Sequence, residues 1–175
     1  YGSHKGPVGR ISKEHFEDFL EEVNQVLGEG DEFYQIKGLI NKAFFSGKNL
    51  SQITRIFVRE LFKEDGLLIL DGDCKELKLL FSEIAHKELF QEITFNSSKQ
   101  YLNLLKSQYK LQVKPRELNL FYIDDGIRKR LIKTDKGFAT SDQSIFWTPS
   151  EIKKMIADSP EKISPNVLLR PIYQE

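Results

Sequence analysis

The hydrophobic period of this chain changes near residue 110, and that change restricts the folds open to it. Before it, apolar residues recur at three and four, the spacing that lays them along one face of an α-helix. After it, they alternate between turn signals, as on a half-buried antiparallel sheet. The chain is read as α/β, with a helical excursion and a small antiparallel β-meander.

The helical block comes first. Ser12 is a candidate N-cap, followed by Phe16, Phe19, Leu20, Val23 and Leu27 at helical spacing, and Gly28 and Gly30 stop the run. A second helix is predicted over 31–45, with Phe33, Ile36, Ile40 and Phe44 inward, and Ser46-Gly47-Lys48 breaks it. Asn49 caps a third, with Leu50, Ile53, Phe57 and Leu61 as its stripe. Residues 12–64 therefore read as a helical excursion. Leu67-Leu68-Ile69-Leu70 is a continuous apolar run between helices, which predicts a strand buried on both faces, as in a parallel sheet. It opens a strand–helix unit over 65–110, with helices predicted over 74–92 and 98–108.

Residues 111–147 form the second block, a small antiparallel β-meander. Strands are predicted over 118–123, 127–133 and 138–147, with Asp124-Asp125-Gly126 and Asp135-Lys136-Gly137 as the turns. Thr148-Pro149-Ser150-Glu151 has a cap, a proline at the first helical position and a glutamate at the third, a strong helix start. Residues 148–175 thus read as a capped helix and a C-terminal strand.

The 175 residues carry 26 basic and 26 acidic side chains, a net charge of zero, unevenly spread. Residues 12–36 hold eight acids and one base, and residues 99–136 hold ten bases and four acids. Each block reads as a solvated face, or the basic one as a surface for an anionic ligand. A nucleic-acid partner is not expected, because the chain as a whole is not basic. No apolar run approaches the roughly 20 residues of a membrane span, and no signal segment opens the chain. The lone Cys74 excludes an internal disulfide and fits a reducing compartment, so a cytoplasmic protein is expected. Both ends read as cut from something longer.

Asp71-Gly72-Asp73 is the first candidate site. It follows the predicted parallel strand, and ligands of open α/β sheets bind beyond the carboxyl ends of strands. Two aspartates two apart on an extended chain point to one side and suit sugar hydroxyls or a hard cation. Asp73 has a competing reading as the cap of the next helix, paired with Glu76. Gly6-Pro7-Val8-Gly9-Arg10 is an ordinary loop or a turn that presents Arg10 to a carboxylate or phosphate. Gln112, Arg116 and Asn119 cluster at the start of the meander. Arg128 and Arg130 share one strand face, which is also the ordinary behaviour of polar positions on a half-exposed strand. Asn166, Arg170, Gln174 and Glu175 crowd the C-terminus beside Leu168, Leu169 and Ile172, as a strand end facing a pocket or as a loose end.

Other chemistry is not legible. Gly47-Lys48 lacks the glycine and hydroxyl residue of a phosphate loop. His4, His15 and His86 have no metal-ligand spacing. No Ser-His-Asp or Cys-His arrangement names a catalytic residue, and Cys74 reads as a small helix residue.

Four phrases together carry a resemblance. They are Gly6-Pro7-Val8-Gly9-Arg10; Glu60-Leu61-Phe62 leading through Gly66 and the apolar run to Asp71-Gly72-Asp73; Pro115-Arg116-Glu117-Leu118-Asn119-Leu120-Phe121-Tyr122 with Arg128 after it; and Ser164-Pro165-Asn166-Val167-Leu168-Leu169-Arg170-Pro171-Ile172-Tyr173-Gln174-Glu175. In order and spacing the chain resembles the BshC family, the cysteine-adding enzymes of bacillithiol biosynthesis, across essentially its whole length. The resemblance implies part of a Rossmann-like core and, in the full-length protein, a coiled-coil arm that supports a homodimer. It implies a ligase that joins the carboxyl group of cysteine to the amine of glucosaminyl malate. Such a step needs an activated carboxylate, and the sequence leaves the cofactor open, ATP or ADP in the full-length protein included.

Asp71, Asp73, Arg116, Asn119, Asn166, Arg170 and Gln174 stand at matching positions, which implies substrate or pocket duties. Arg170 or Arg10 would hold malate carboxylates, and Asp71 sugar hydroxyls. The family's His-Asp-Phe stretch is expected before Tyr1, and its glycine-rich stretch and coiled coil after Glu175. On that expectation the chain is a central fragment, inactive alone. A non-catalytic nucleotide- or anion-binding module, or a structural insert, is the alternative.

Overall fold

Local sequence builds the helices where periodicity places them. A computed structural model describes residues 6–28, 30–111, 113–124 and 126–174. Gln112, Asp125 and Glu175 lie outside the described residues, as does His4. The chain divides into two units, Tyr1–Asp71 and Gly72–Glu175.

The first unit holds α1 (Glu17–Val26), α2 (Asp31–Ser46) and α3 (Leu50–Leu61). Short 3-10 turns cover Val8–Arg10 and Lys13–Phe16 ahead of α1. Asn49 caps α3 by accepting the Gln52 N–H, as its position predicts. Ser12 directs its hydroxyl to the Glu14 carboxylate and makes no side-chain cap bond. A bridge between Ser12 and Asn49, with Leu50 N donating to Ile11 O at 2.9 Å, pins the chain before α1 to the start of α3.

The apolar run 67–70 is a correction. It forms no strand, and Leu68 and Leu70 are 89% and 78% exposed. A doubly buried strand needs partners on both edges and cover on both faces, and the described strands pair only with one another.

The second unit opens with α4 (Lys75–Gln91) and α5 (Ile93–Gln108), separated by Glu92 in the left-handed region at φ 52°. Cys74 is the N-cap of α4, so the cap reading of Asp73 also gives way. The strands follow: β1 (Leu120–Asp124), β2 (Ile127–Thr134), β3 (Gly137–Thr140), β4 (Phe146–Trp147) and β5 (Ile163–Pro165). The expected third strand over 138–147 is split, because the chain turns at residues 141–144 with Gln143 at φ 58°. The five strands lie in the order β4-β3-β2-β1-β5 with every pair antiparallel.

Between β4 and β5 lies α6 (Pro149–Asp158), and its capping box forms in full. The Thr148 side chain accepts the Glu151 N–H, and Glu151 accepts the Thr148 N–H. The expected C-terminal strand is the short β5. The residues after it wind into α7 (Arg170–Gln174), because Asn166 accepts the N–H groups of Leu168 and Leu169 and turns the chain.

The core lies between the sheet and the helices. Phe81, Ala85 and Leu89 of α4 and Ile152 and Ile156 of α6 pack on Leu120, Tyr122, Leu131 and Phe138. Alternation sends Phe121, Ile123, Arg128 and Arg130 to the other face. The chain is thus mixed α/β, with helices and a meander as its sequence indicates. Among the described residues no helix is long and apolar enough to cross a membrane.

Candidate functional site

The β1–β2 register builds an arginine-rich face. Phe121 stands opposite Arg130, and Ile123 opposite Arg128. The Arg128 guanidinium lies over the Phe121 ring, 3.6 Å from its centroid, and that of Arg130 is 5.7 Å away. An arginine stacked on an aromatic face keeps its N–H edges free for a carboxylate while the ring fixes its plane. Burial pushes the Arg128 guanidinium below its ordinary pKa, and the charges of Arg170 and Arg130 add to the effect. Arg130 is lowered first by burial and then by Arg116. Arg116, Arg128, Arg130 and Arg170 therefore form one electrostatic cluster.

Among the described residues none of the four has a carboxylate within ion-pair distance. Other exposed cations of this unit do find partners: Lys133 meets Glu92 and Lys129 meets Asp142, each at 2.7 Å. Arg116 and Arg130 line a cavity of about 300 Å³ with Glu117, Lys133 and Ser141. Guanidinium groups held together without a close ion pair repel one another, and a bound anion relieves that repulsion.

Two predicted site residues support this cluster from beneath. Asn119 is 1% exposed, and its amide is occupied on both sides. Its Nδ2 donates to Glu88 Oε1 at 2.9 Å and to Arg116 O at 2.7 Å. Its Oδ1 accepts Asn166 Nδ2 at 2.8 Å and Arg116 N at 3.4 Å. Asn166 joins Asn119 by backbone as well, N to O at 2.8 Å, and its carbonyl accepts Arg170 N at 2.9 Å. Both asparagines hold chain segments that carry arginines. Gln174 is the last residue of α7, and its side chain lies outside the described set.

The two aspartates take different partners. Asp73 pairs with Lys78 at 2.5 Å, and Lys78, only 3% exposed, also donates to Glu161 O at 3.0 Å. Asp71 accepts the Ser51 hydroxyl at 2.8 Å. Residues 72–74 turn, so the same-side argument for an extended chain does not apply. Asp71 borders a cavity of about 370 Å³ in the first unit with Gly9, Ser51, Thr54, Arg55 and Ile69. Gly9 lies against Ser51: a Cβ there would come within 3.3 Å of the serine Cβ. Arg10 ends the 3-10 turn beside it and is half-buried.

Sequence reasoning missed Glu88 and Phe121 as members of the arginine site. Phe121 was legible only as a strand position. Glu88 read as one more acid on a helix, and no local pattern signals that it is buried.

Comparison with known proteins adds the following. A family model described as "Bacillithiol biosynthesis BshC, N-terminal Rossmann-like domain" matches residues 1–175. A Flavobacterium johnsoniae protein named "Putative cysteine ligase BshC" is 36% identical over 170 residues, 97% of this chain and 32% of that protein. One of the same name from Flavobacterium psychrophilum is 37% identical over 173 residues, 98% of this chain and 32% of its own length. A third, from Anoxybacillus flavithermus, is 25% identical over 171 residues, 94% of this chain and 32% of that protein. The chain spans about a third of the length of these relatives.

Proposed function

The chain belongs to the BshC family, whose N-terminal Rossmann-like domain matches residues 1–175, and from that premise we propose that it forms part of the substrate-binding half of a cysteine ligase. The reaction joins the carboxyl group of cysteine to the amine of glucosaminyl malate, forming an amide and giving bacillithiol. The arginine cluster carries this reading. Malate contributes two carboxylates, and Arg128 and Arg170 are suited to them: one is oriented by Phe121, the other lies close enough to repel it. Planar guanidinium groups bind carboxylates through two parallel N–H bonds, which fixes orientation as well as charge.

In this reading Arg116 and Arg130 complete the positive field, and Asp71, which borders a cavity of the first unit, has no part in the arginine site. Asp73 holds Lys78 and is not assigned to the substrate, and Arg10 is the second choice for a malate carboxylate. The test is calorimetric titration of the full-length ligase with glucosaminyl malate. Arg128→Ala and Arg170→Ala should each weaken binding roughly tenfold to a hundredfold, since a hydrogen bond to a charged group contributes about 1.5–3 kcal/mol. Unchanged affinity in both variants would remove the arginine site from the mechanism.

A further inference from the structure

Glu88 is a buried carboxylate in the middle of a helical turn, 0% exposed, on the face of α4 that enters the core. Taking a carboxylate out of water costs several kcal/mol unless donors replace the lost solvent. Three N–H groups do so. Thr94 N donates to Oε2 at 3.0 Å, and Asn119 N and Nδ2 both donate to Oε1 at 2.9 Å. If Glu88 served only to cap α5, the Thr94 bond would suffice. Two of its three bonds go instead to Asn119, 31 residues away.

From Asn119 the connections run outward to the arginine site. Asn119 holds Arg116 from both sides, accepting its N–H and donating to its carbonyl. It also holds Asn166, whose carbonyl accepts the N–H of Arg170. We propose that Glu88 is a positioning residue for substrate recognition. Through Asn119 and Asn166 it sets the backbone positions of Arg116 and Arg170, and so the fit of the carboxylates held at the arginine cluster. The inference rests on the arginine site proposed above.

The chemistry makes the carboxylate hard to replace. A carboxylate only accepts, and all three groups facing it donate. Glutamine at this position would turn an N–H₂ toward either Thr94 N–H or the two Asn119 donors. One bond would be lost in the first orientation and two in the second, and donors would confront each other in either. The least costly response is a shift of Asn119, which carries Arg116 and Asn166 with it. Asn166→Asp tests the same link from its outer end. It keeps the acceptor for Leu168 and Leu169 but sets a carboxylate oxygen against Asn119 Oδ1.

The experiment uses the full-length ligase, titrated calorimetrically with glucosaminyl malate. E88Q and N166D should each weaken binding by about tenfold, the scale expected when binding groups are displaced by part of an ångström. In an R170K background the effect of E88Q should shrink to about threefold or less, because an ammonium is a point charge that demands less orientation. A merely structural role would leave the affinity of E88Q unmoved, or leave its effect as large in the R170K background as without it. Either outcome overturns the proposal. If R170A itself leaves binding unchanged, the site reading has failed. If R170A weakens binding while E88Q and N166D do not, the site stands and the positioning role is wrong.

Discussion

Gly137 opens β3 at φ 154°, and a Cβ there would lie 2.2 Å from the Trp147 carbonyl oxygen. Since the obstructing atom is backbone, no rotamer change relieves it. Gly137→Ala should force β3 away from β4 and cost roughly 1–3 kcal/mol, the scale of a strained backbone position. Urea melting measures this directly, and a variant as stable as the parent would show that the hairpin yields without cost. The same Asp135-Lys136-Gly137 signal was legible in sequence as a turn, because a turn signal is local, whereas the Trp147 carbonyl that excludes a side chain there is not. The site residues were legible only in part. Asn119 and Asn166 stood out as polar residues near the strands, but their amides face inward. Their partners, Glu88 and each other, are separated by 31 and 47 residues. Arg128 and Arg130 could be placed on one strand face by alternation alone. Their approach to Arg170 depends on how the segment after β5 folds back, which periodicity does not encode.

The β3–β4 connection gives an element whose stability responds to pH. Asp142 accepts the Thr140 hydroxyl at 2.7 Å, the Ser144 hydroxyl at 2.9 Å and the Lys129 ammonium at 2.7 Å. These donors, Lys129 foremost, hold its carboxyl far below the ordinary value of 3.8. A depressed folded-state pKa means stabilisation that is fully present above the unfolded value and lost as pH falls toward the folded one. The stability difference between the protein and Asp142→Asn should therefore narrow as pH is lowered from about 5 to about 2. A difference that stays constant over that range would remove Asp142 from the hairpin's stability. Half exposure keeps the contribution small. At this scale the sequence was most informative where a signal is local. The helices α1, α2 and α3 and the capping box of α6 follow from residues a turn apart, although Phe19, Phe33, Ile36 and Leu61 of the expected inward stripes are exposed. It misled over 67–70, where an apolar run was read as a doubly buried strand. Composition shows that such residues favour burial, but cover must come from elsewhere. The tail after β5 misled likewise, because Asn166 turns the chain into α7 where polar groups beside Leu168, Leu169 and Ile172 suggested a strand end.

The two units are stabilised to different degrees. In Gly72–Glu175 a continuous core joins α4 and α6 to β1, β2, β3 and β5. In Tyr1–Asp71 the buried apolar side chains are Phe16, Ala43 and Ile53 among the described residues, and α1 buries none of its own. The apolar stripes of the three helices face a gap of about 450 Å³, lined by Phe16, Phe19, Leu20, Ile40, Phe44 and Phe57. Side chains bordering such a gap forgo the dispersion contacts of a close-packed interior. Local opening should therefore cost less in the helical unit than in the sheet unit. Hydrogen exchange on the 175-residue chain reads this element by element. Amides of β1, β2 and α4 should exchange slowest, those of α1 much faster, and those of 67–70 fastest of all because no ladder holds them. In the full-length protein, slowing confined to α1 and 67–70 would mean that the rest of the protein covers this unit's exposed apolar side chains. Protection of α1 equal to that of β1 in the 175-residue chain itself would overturn the ranking, because three helices with so few buried side chains would then be as hard to open as the sheet.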